Sequence, residues 1–418
     1  MILVYNLSIK ILSIIFWVGR FFNKKLADGY YGRLNWREKL RLFKLQSNEK
    51  IIWFHCASLG EFEMARPVIE ELNKIKNEKI TLILTFFSPS GYEIRKNYNG
   101  VNGVFYLPLD TVKNAHDFID ILKPSIAVFV KYEFWLNYLF YLKRQEIKTI
   151  LINAIFNKEQ IYFKWYGYIY FNVLKKFDHI FVQNKHSLKI LGSKGIKNVT
   201  VSGDLRYDRV IANSKSEQEF PPIAEFVKNS FVIVGGSTWQ AEEEILKYSL
   251  SKNKDTLKLI IAPHDISEKH LINIEKIFKD FKTARFTKNE IDETTKVLII
   301  DVVGYLSSIY KYGKVALVGG GFSGALHNII EPSVYGIPVF FGYKYSKFPE
   351  AGYFKRNKIG FAIHNGFNFN EHLKGIMKNN QLLTEVKHNS AMVFKQNTGS
   401  TMQVFYKIAG FCNLKINV

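Results

Sequence analysis

The chain has 418 residues, 47% hydrophobic and 23% charged, which excludes a disordered protein and leaves room for two or three domain-sized cores. A net charge of +21 makes nucleic acid, anionic lipid headgroups and phosphorylated substrates candidate partners. No aromatic-basic RNA motif, zinc-finger spacing or helix-turn-helix pattern accompanies that charge, so no nucleic-acid partner is expected. Two cysteines, Cys56 and Cys412, argue against a disulfide scaffold.

Residues 1–19 contain fourteen apolar residues, and Asn6, Lys10 and Ser13 share one helical face. Lys10 in mid-stretch weakens a full span, so residues 1–20 are expected to form a membrane-anchor helix in one leaflet, its polar stripe toward headgroups or protein. A cleaved signal would need a basic start and a small-residue cleavage site, and neither is present. The alternative is a buried core helix. Residues 1–50 carry ten Lys/Arg against three Asp/Glu, nearly all after the apolar run. That bias is expected to keep the remainder on the cytoplasmic side, near anionic lipids.

Strands are expected at Ile51–His55, Ile80–Phe86, Gly103–Leu107, Ile126–Val130, Thr149–Ile152, His179–Val182 and Val199–Val201, with helical patterns between them. The polar, proline-bearing stretch Lys215–Pro222 reads as a linker. A second series follows at Phe231–Val234, Leu257–Ala262, Val297–Asp301, Val315–Val318 and Ile337–Phe341, and the last forty residues read as helices. The expected domains are 21–213 and 225–395, joined by a linker at 214–224 and followed by a C-terminal helix at 396–418. The fold class is α/β, two doubly wound Rossmann-like domains facing a cleft. That layout belongs to GT-B glycosyltransferases and also to some nucleotide-sugar epimerases and phosphorylases.

Two stretches could carry chemistry. The run Gly319-Gly320-Gly321-Phe322-Ser323-Gly324 breaks an apolar strand and is followed by a polar helix start at His327-Asn328, running through Glu331 to Gly336. Glycines let backbone N–H groups approach a phosphate, a helix start favours negative charge, and Glu331 could accept from ribose hydroxyls. An ordinary strand-to-helix turn is the alternative. In the first domain, Ser58 and Gly60 suit a tight turn after the first strand, and Glu61 falls in the first helical turn. There it is either a general base for a sugar hydroxyl or a helix-start acid favoured by the dipole.

The segment Ala57-Ser58-Leu59-Gly60-Glu61 resembles the catalytic motif of bacterial 3-deoxy-D-manno-octulosonic acid (Kdo) transferases of lipid A assembly. The likeness continues through Glu133-Phe134-Trp135, Asn153-Ala154, Gly203–Asp208, Gly235–Thr238 with Glu242–Glu244, Ala262–His264, Gly304–Leu306 and His327–Pro332. It implies that Glu61 is the general base and that Glu133 and Arg206 steady the transition state. It also implies donor contacts with the cytidine monophosphate (CMP) group at Pro263, His264, Gly304, Tyr305 and Leu306, and at Asn328, Ile329, Ile330 and Glu331. This chain departs from the family pattern at His264 and Asp265 (usually Arg and His), Tyr305 (usually Glu), Arg206 (usually Lys) and Lys131 (often acidic).

The implied reaction is inverting transfer of Kdo from CMP-Kdo to a hydroxyl of the lipid A precursor, lipid IVA, in lipopolysaccharide core assembly at the cytoplasmic face of the inner membrane. Cleavage at a tertiary anomeric carbon is oxocarbenium-like, so a departing phosphate monoester must be stabilised. Gly235-Gly236-Ser237-Thr238 and the turn containing Gly320 and Gly321 are the candidates. No Asp-x-Asp motif or histidine metal spacing appears, so no metal and no cofactor beyond the donor substrate is expected. The aromatic run Ile161–Phe171 reads as lipid contact or as core. Two rivals remain, a nucleotide-sugar epimerase of the same fold and a non-catalytic membrane-associated nucleotide-sugar-binding protein.

Overall fold

A computed structural model describes residues 2–43, 49–215, 219–288 and 290–416. Residues 216–218, in the expected linker, lie outside it. The chain forms two compact units: Met1–Arg209 with Asn397–Val418, and Val210–Gln396.

The first unit is built on seven parallel strands: β1 (Lys50–Cys56), β2 (Ile80–Phe86), β3 (Gly103–Tyr106), β4 (Ile126–Val130), β5 (Lys148–Ala154), β6 (His179–Val182) and β7 (Val199–Val201). Their order is β3-β2-β1-β4-β5-β6-β7. All-parallel sheets are covered on both faces, which is why these strands are near-continuous apolar runs. Alternation along β1 sends Ile51 and Trp53 to one core, and Ile52, Phe54 and Cys56 to the other. Trp53 lies 5.0 Å from Phe118 and 5.5 Å from Phe129, so the first core centres on aromatic contacts. The final helix, Ser400–Phe411, returns to the second core through Val404, Phe405 and Ile408.

Among the described residues, three helices precede β1: α1 (Ile2–Gly19), α2 (Lys24–Gly32) and α3 (Trp36–Leu42). Helix α1 is the one helix among the described residues long and apolar enough to cross a membrane. It lies against the first unit rather than standing free. Ile9 and Phe16 are buried, Tyr5 donates to Asp110 at 2.5 Å, and Asn6 accepts from Asn137 at 3.0 Å. Within the polar stripe, Asn6 therefore meets protein while Lys10 is exposed. The outer face presents Leu3, Val4, Leu7, Ile11, Ile14 and Ile15 to solvent, continued by Phe21 and Phe22.

The second unit repeats the plan with β8 (Phe231–Thr238), β9 (Leu257–Pro263), β10 (Thr283–Arg285), β11 (Val297–Ile299), β12 (Val315–Val318), β13 (Val339–Gly342) and β14 (Gly360–Ile363). The order is β10-β11-β9-β8-β12-β13-β14, again parallel. Strands β10 and β14, the two sheet edges, have no counterpart among the sequence expectations. Each is only three or four residues long, and Thr-Ala-Arg and Gly-Phe-Ala-Ile lack the apolar run of a central strand. The helix expected through Gly336 is a single turn, Ile330–Ser333. Pro332 cannot donate inside a helix, and Gly336 turns the chain at φ +69°.

Candidate active site

In each sheet the chain turns outward on both sides of one strand pair, β1/β4 in the first unit and β8/β12 in the second. Ligands of doubly wound sheets bind at the carboxyl ends of such a pair. Glu61 and Glu133 follow the strands of the first pair, and Ser237, Thr238, Gly320 and Gly321 those of the second, whereas Arg206 follows β7 at the sheet edge. A cavity of about 970 Å³ in the second unit, lined by Phe231, Gly313, Lys314 and Ile337, lies at the opposite strand ends and away from this chemistry.

After β1, helix α4 (Leu59–Leu72) begins with Ser58 as its N-cap and Glu61 in the first turn. One Glu61 oxygen accepts from the backbone N–H groups of Ala57 and Ser58, the latter at 3.2 Å. Glu61 therefore serves the helix start as the dipole argument expects. Its acidity shows a second property. Burial, and then the charge of Glu133, raise its pKa to about 7, against the opposing pull of the Ala57 N–H, Lys131 and the Ser58 N–H. A carboxyl group titrating near neutrality in a ligand crevice has the proton affinity a general base requires.

Glu133 and Lys131 follow β4, and Lys131 adopts a left-handed backbone (φ +60°), an uncommon conformation for a side-chain-bearing residue. Glu133 Oε2 accepts from the Trp135 indole at 2.8 Å and lies 3.3 Å from His55 Nε2. His55 is buried on β1, its Nδ1 2.9 Å from Thr85 Oγ1, which also accepts from Trp53 Nε1 at 2.8 Å. His55, Thr85 and Trp135 were not singled out by sequence reasoning as site residues. A polar His and Thr inside otherwise apolar strands are the signal that could have found the first two.

Arg206 follows β7 and clasps Asp204, donating from Nε at 3.0 Å and from an Nη at 2.7 Å. Burial opposes ionisation of Asp204, but Arg206 and Asn153 outweigh it and hold the carboxyl below its ordinary pKa. Asn153, left-handed at the end of β5, donates to Asp204 at 3.2 Å and accepts from Leu205 N at 3.0 Å. Arg206 is thereby tied to the end of β5, next to β4.

In the second unit, close packing spends the glycines. A Cβ on Gly319 would fall 2.0 Å from the Ser237 carbonyl oxygen, and one on Gly236 1.8 Å from the Tyr310 hydroxyl. The Gly319 N–H donates to Gly236 O at 2.9 Å and the Gly320 N–H to buried Glu242 at 2.9 Å. These two N–H groups are thus occupied within the protein, and Gly321 packs against Gly342. Ser237 is left-handed (φ +51°), while Thr238 is buried and donates to Glu243 at 3.1 Å. Glu243 also meets His270 at 3.0 Å.

Around this turn lie residues expected to contact a donor. The His264 N–H donates to Thr238 O at 3.0 Å, which holds Pro263 and His264 beside the end of β8. The His264 ring stacks on His327 at 4.5 Å and lies 4.7 Å from Trp239. Burial and then His264 hold His327 down at about pKa 4, so its ring is neutral at physiological pH. Gly304 (φ +97°) and Tyr305 lead into the short helix Leu306–Ile309, whose Leu306 reaches Gly236. Asn328 caps the following turn by accepting from Ile330 N at 3.0 Å and donates to Glu331 at 3.0 Å, while Ile329 and Ile330 are buried beneath. Among the described residues no group of three His, Cys, Asp or Glu side chains has metal-holding geometry.

Two doubly wound units with chemistry at their strand ends define a glycosyltransferase-type α/β fold. The same architecture recurs in a UDP-N-acetylglucosamine 2-epimerase (TM-score 0.59, 10% identity, 88% of this chain and 98% of that one). It recurs in a glycosyltransferase from Rickettsia africae ESF-5 (TM-score 0.54, 12% identity, 89% and 100%). Such identities speak for the fold alone. Sequence comparison goes further. Residues 34–209 match the family model described as 3-Deoxy-D-manno-octulosonic-acid transferase (kdotransferase). The 3-deoxy-D-manno-octulosonic acid transferase of Aquifex aeolicus is 30% identical over 77% of this chain and 84% of its own. That of Haemophilus influenzae is 26% identical over 72% of each. The chain belongs to the 3-deoxy-D-manno-octulosonic acid transferase family and is a glycosyltransferase.

Proposed function

We propose that this enzyme moves Kdo from CMP-Kdo to a hydroxyl of the lipid A precursor lipid IVA, with inversion, in lipopolysaccharide core biosynthesis. The observation that carries the reading is the pairing of Glu61, poised near neutrality, with Glu133 at the β1/β4 strand ends. Glu61 takes the proton of the acceptor hydroxyl as its oxygen bonds to the anomeric carbon. The bond from that carbon to the CMP phosphate breaks, and CMP leaves with the electron pair. Glu133 and Arg206 steady the cationic sugar and the orientation of the reactants. Ser58 and Gly60 shape the turn that receives the acceptor. The chain's own cations and backbone dipoles, with no metal ion, balance the leaving group.

Donor recognition falls to the second unit. Ser237, Thr238, Gly320 and Gly321 form the turn beside the phosphate, and Pro263, His264 and Gly304–Leu306 border the base. Glu331 takes the ribose hydroxyls, with Asn328, Ile329 and Ile330 supporting it. Glu331→Gln should weaken CMP binding about tenfold, the loss of one charge-assisted hydrogen bond, with little change in melting temperature. Unchanged affinity by calorimetry would place the ribose elsewhere.

Attachment to the cytoplasmic face of the inner membrane is assigned to the outer face of α1, assisted by anionic lipids around the basic first fifty residues. Leu3, Leu7 and Ile14 point away from the protein, so changing all three to Asn should abolish sedimentation with anionic liposomes while leaving the melting temperature within a few degrees. Undiminished sedimentation would move the attachment to the basic patch.

The test of the whole reading is incubation of purified enzyme with CMP-Kdo and lipid IVA in EDTA, followed by mass analysis of the lipid. A mass gain of one or more Kdo residues is expected. A lipid left unchanged, or product formed only when a divalent ion is restored, would contradict the acceptor or the metal-free chemistry respectively.

A further inference from the structure

Among the described residues, Glu133 has two side-chain hydrogen-bond neighbours, Trp135 and His55. Trp135 Nε1 lies 2.8 Å from Glu133 Oε2 and 2.9 Å from His55 Nε2, so one indole proton is aimed between them. The carboxylate is largely buried, with 16% of its side chain exposed. An N–H donated to a carboxylate in such a place orients it.

The position of the indole is set from elsewhere. Its ring packs on Phe87, with centroids 4.8 Å apart, and Phe87 meets the edge of Phe16 on α1 at 6.2 Å. The Arg33 guanidinium lies 5.2 Å from the Phe16 centroid and 4.7 Å from that of Phe87, and it donates to the Phe87 carbonyl at 2.6 Å. Phe16 is buried against Gly29, where a Cβ would come within 2.5 Å of its ring. Helix α1 therefore has a fixed seat, and Phe87 is the wall between that seat and the indole.

A second path reaches the same residue through the backbone. Trp135 immediately precedes the helix Leu136–Arg144. Buried Asp110 accepts from the first-turn N–H groups of that helix, Asn137 and Tyr138, both at 3.0 Å. The same carboxylate takes the Tyr5 hydroxyl of α1, and Asn6 of α1 accepts from Asn137 Nδ2 at 3.0 Å. Both the ring of Trp135 and the helix that follows it thus rest on α1.

We infer that Trp135 is a positioning residue for the transfer reaction: its indole N–H holds Glu133 in an orientation that α1 sets through Phe16 and Phe87. The inference rests on Glu133 taking part in transfer, as proposed above. It gives α1 a second role, since the helix whose outer face meets lipid also supports the wall behind the site. A carboxylate released from its donor samples more orientations, and catalysis falls with the fraction correctly aimed.

The test uses full-length enzyme with CMP-Kdo and lipid IVA in detergent micelles, so that delivery to a membrane does not limit the rate. Trp135→Phe keeps a ring against Phe87 but removes the N–H. Its kcat should fall about tenfold with both KM values within twofold and the melting temperature close to that of the unaltered enzyme. In a Glu133→Gln background the same change should have little further effect, because the two side chains act as one unit. Phe16→Leu should lower kcat a few-fold while liposome sedimentation is retained. Wild-type kcat for Trp135→Phe beside an impaired Glu133→Gln would overturn the inference, as would independent, multiplicative losses in the double variant. If Glu133→Gln itself turns over normally, the reading of the site fails first and the inference with it. Should Trp135→Phe not fold, the indole resonance of Trp135 in ¹⁵N-labelled enzyme decides. It should move on Glu133→Gln substitution, and a fixed resonance would overturn the inference.

Discussion

Replacing Glu61 by Gln should lower turnover by roughly 10²–10⁴, the usual contribution of a positioned general base, with substrate binding nearly unchanged. Gln keeps the size of Glu and can still accept from the Ala57 and Ser58 N–H groups at the helix start. It cannot take a proton, so the loss should appear in kcat. Glu63 is the internal control, and the structure defines what it controls for. Its carboxylate is paired with Arg95 at 2.8 Å and lies 3.6 Å from Arg66. Glu63→Gln should therefore cost stability, by no more than about 1 kcal/mol for a half-exposed pair, while turnover stays near wild type. Rate assays on both variants check this. A silent Glu61→Gln beside a dead Glu63→Gln would reassign the base. Two active variants would leave the motif as a helix start.

The same substitution carries a stability signature of opposite sign. The Glu61 pKa is about 7 in the folded chain against an ordinary 4.5, so folding takes up a proton between those values. The stability contributed by the protonated carboxyl is present below pH 4.5 and lost as pH rises through 7. The fold tolerates the ionised form at a cost, a pattern common where a site is built for chemistry rather than packing. Relative to wild type, Glu61→Gln should therefore melt higher at pH 8 than it does at pH 5.

Much of the architecture was legible because parallel central strands are buried on both faces and appear as apolar runs. Ile80–Phe86, Ile126–Val130, His179–Val182, Val199–Val201 and Val315–Val318 stand where the runs place them. What escaped was set by neighbours rather than by pattern. Edge strands Thr283–Arg285 and Gly360–Ile363 are paired on one side, so their sequences carry little signal. The turn at Ile330–Ser333 looked longer because the residues beyond Pro332 keep helical spacing that the proline and Gly336 interrupt.

The candidate site was legible as motifs and opaque as contacts. Ser58–Glu61, Glu133 and Arg206 could be named from their segments, and each follows a strand end of the first sheet. That Arg206 is held by Asp204, or that Gly320 gives its N–H to Glu242, depends on partners 2 and 78 positions away, with no repeat to reveal them. The Glu61 pKa likewise depends on burial and on Glu133, which only the β1/β4 pairing brings near. The inner face of α1 was half visible. Asn6 could be placed on a polar stripe, but its partner Asn137 could not.

The central claim is that Glu61 abstracts the acceptor proton, and the pH dependence of kcat/KM for Kdo transfer tests it most directly. The base must be ionised, and burial together with Glu133 puts its pKa at about 7. Activity should be at its plateau above that value and lost as pH falls through it, about tenfold per pH unit on the acid limb. Between pH 8 and pH 5 the decline should approach 100-fold, well outside assay error, while circular dichroism shows the enzyme still folded. Removing the Glu133 charge with Glu133→Gln should move the limb to lower pH, because a repulsive neighbour that raises the pKa is gone. Glu61→Gln should be slow and flat across the range. A wild-type profile that is level from pH 5 to 8, or a limb that persists unchanged in Glu61→Gln, would contradict the assignment.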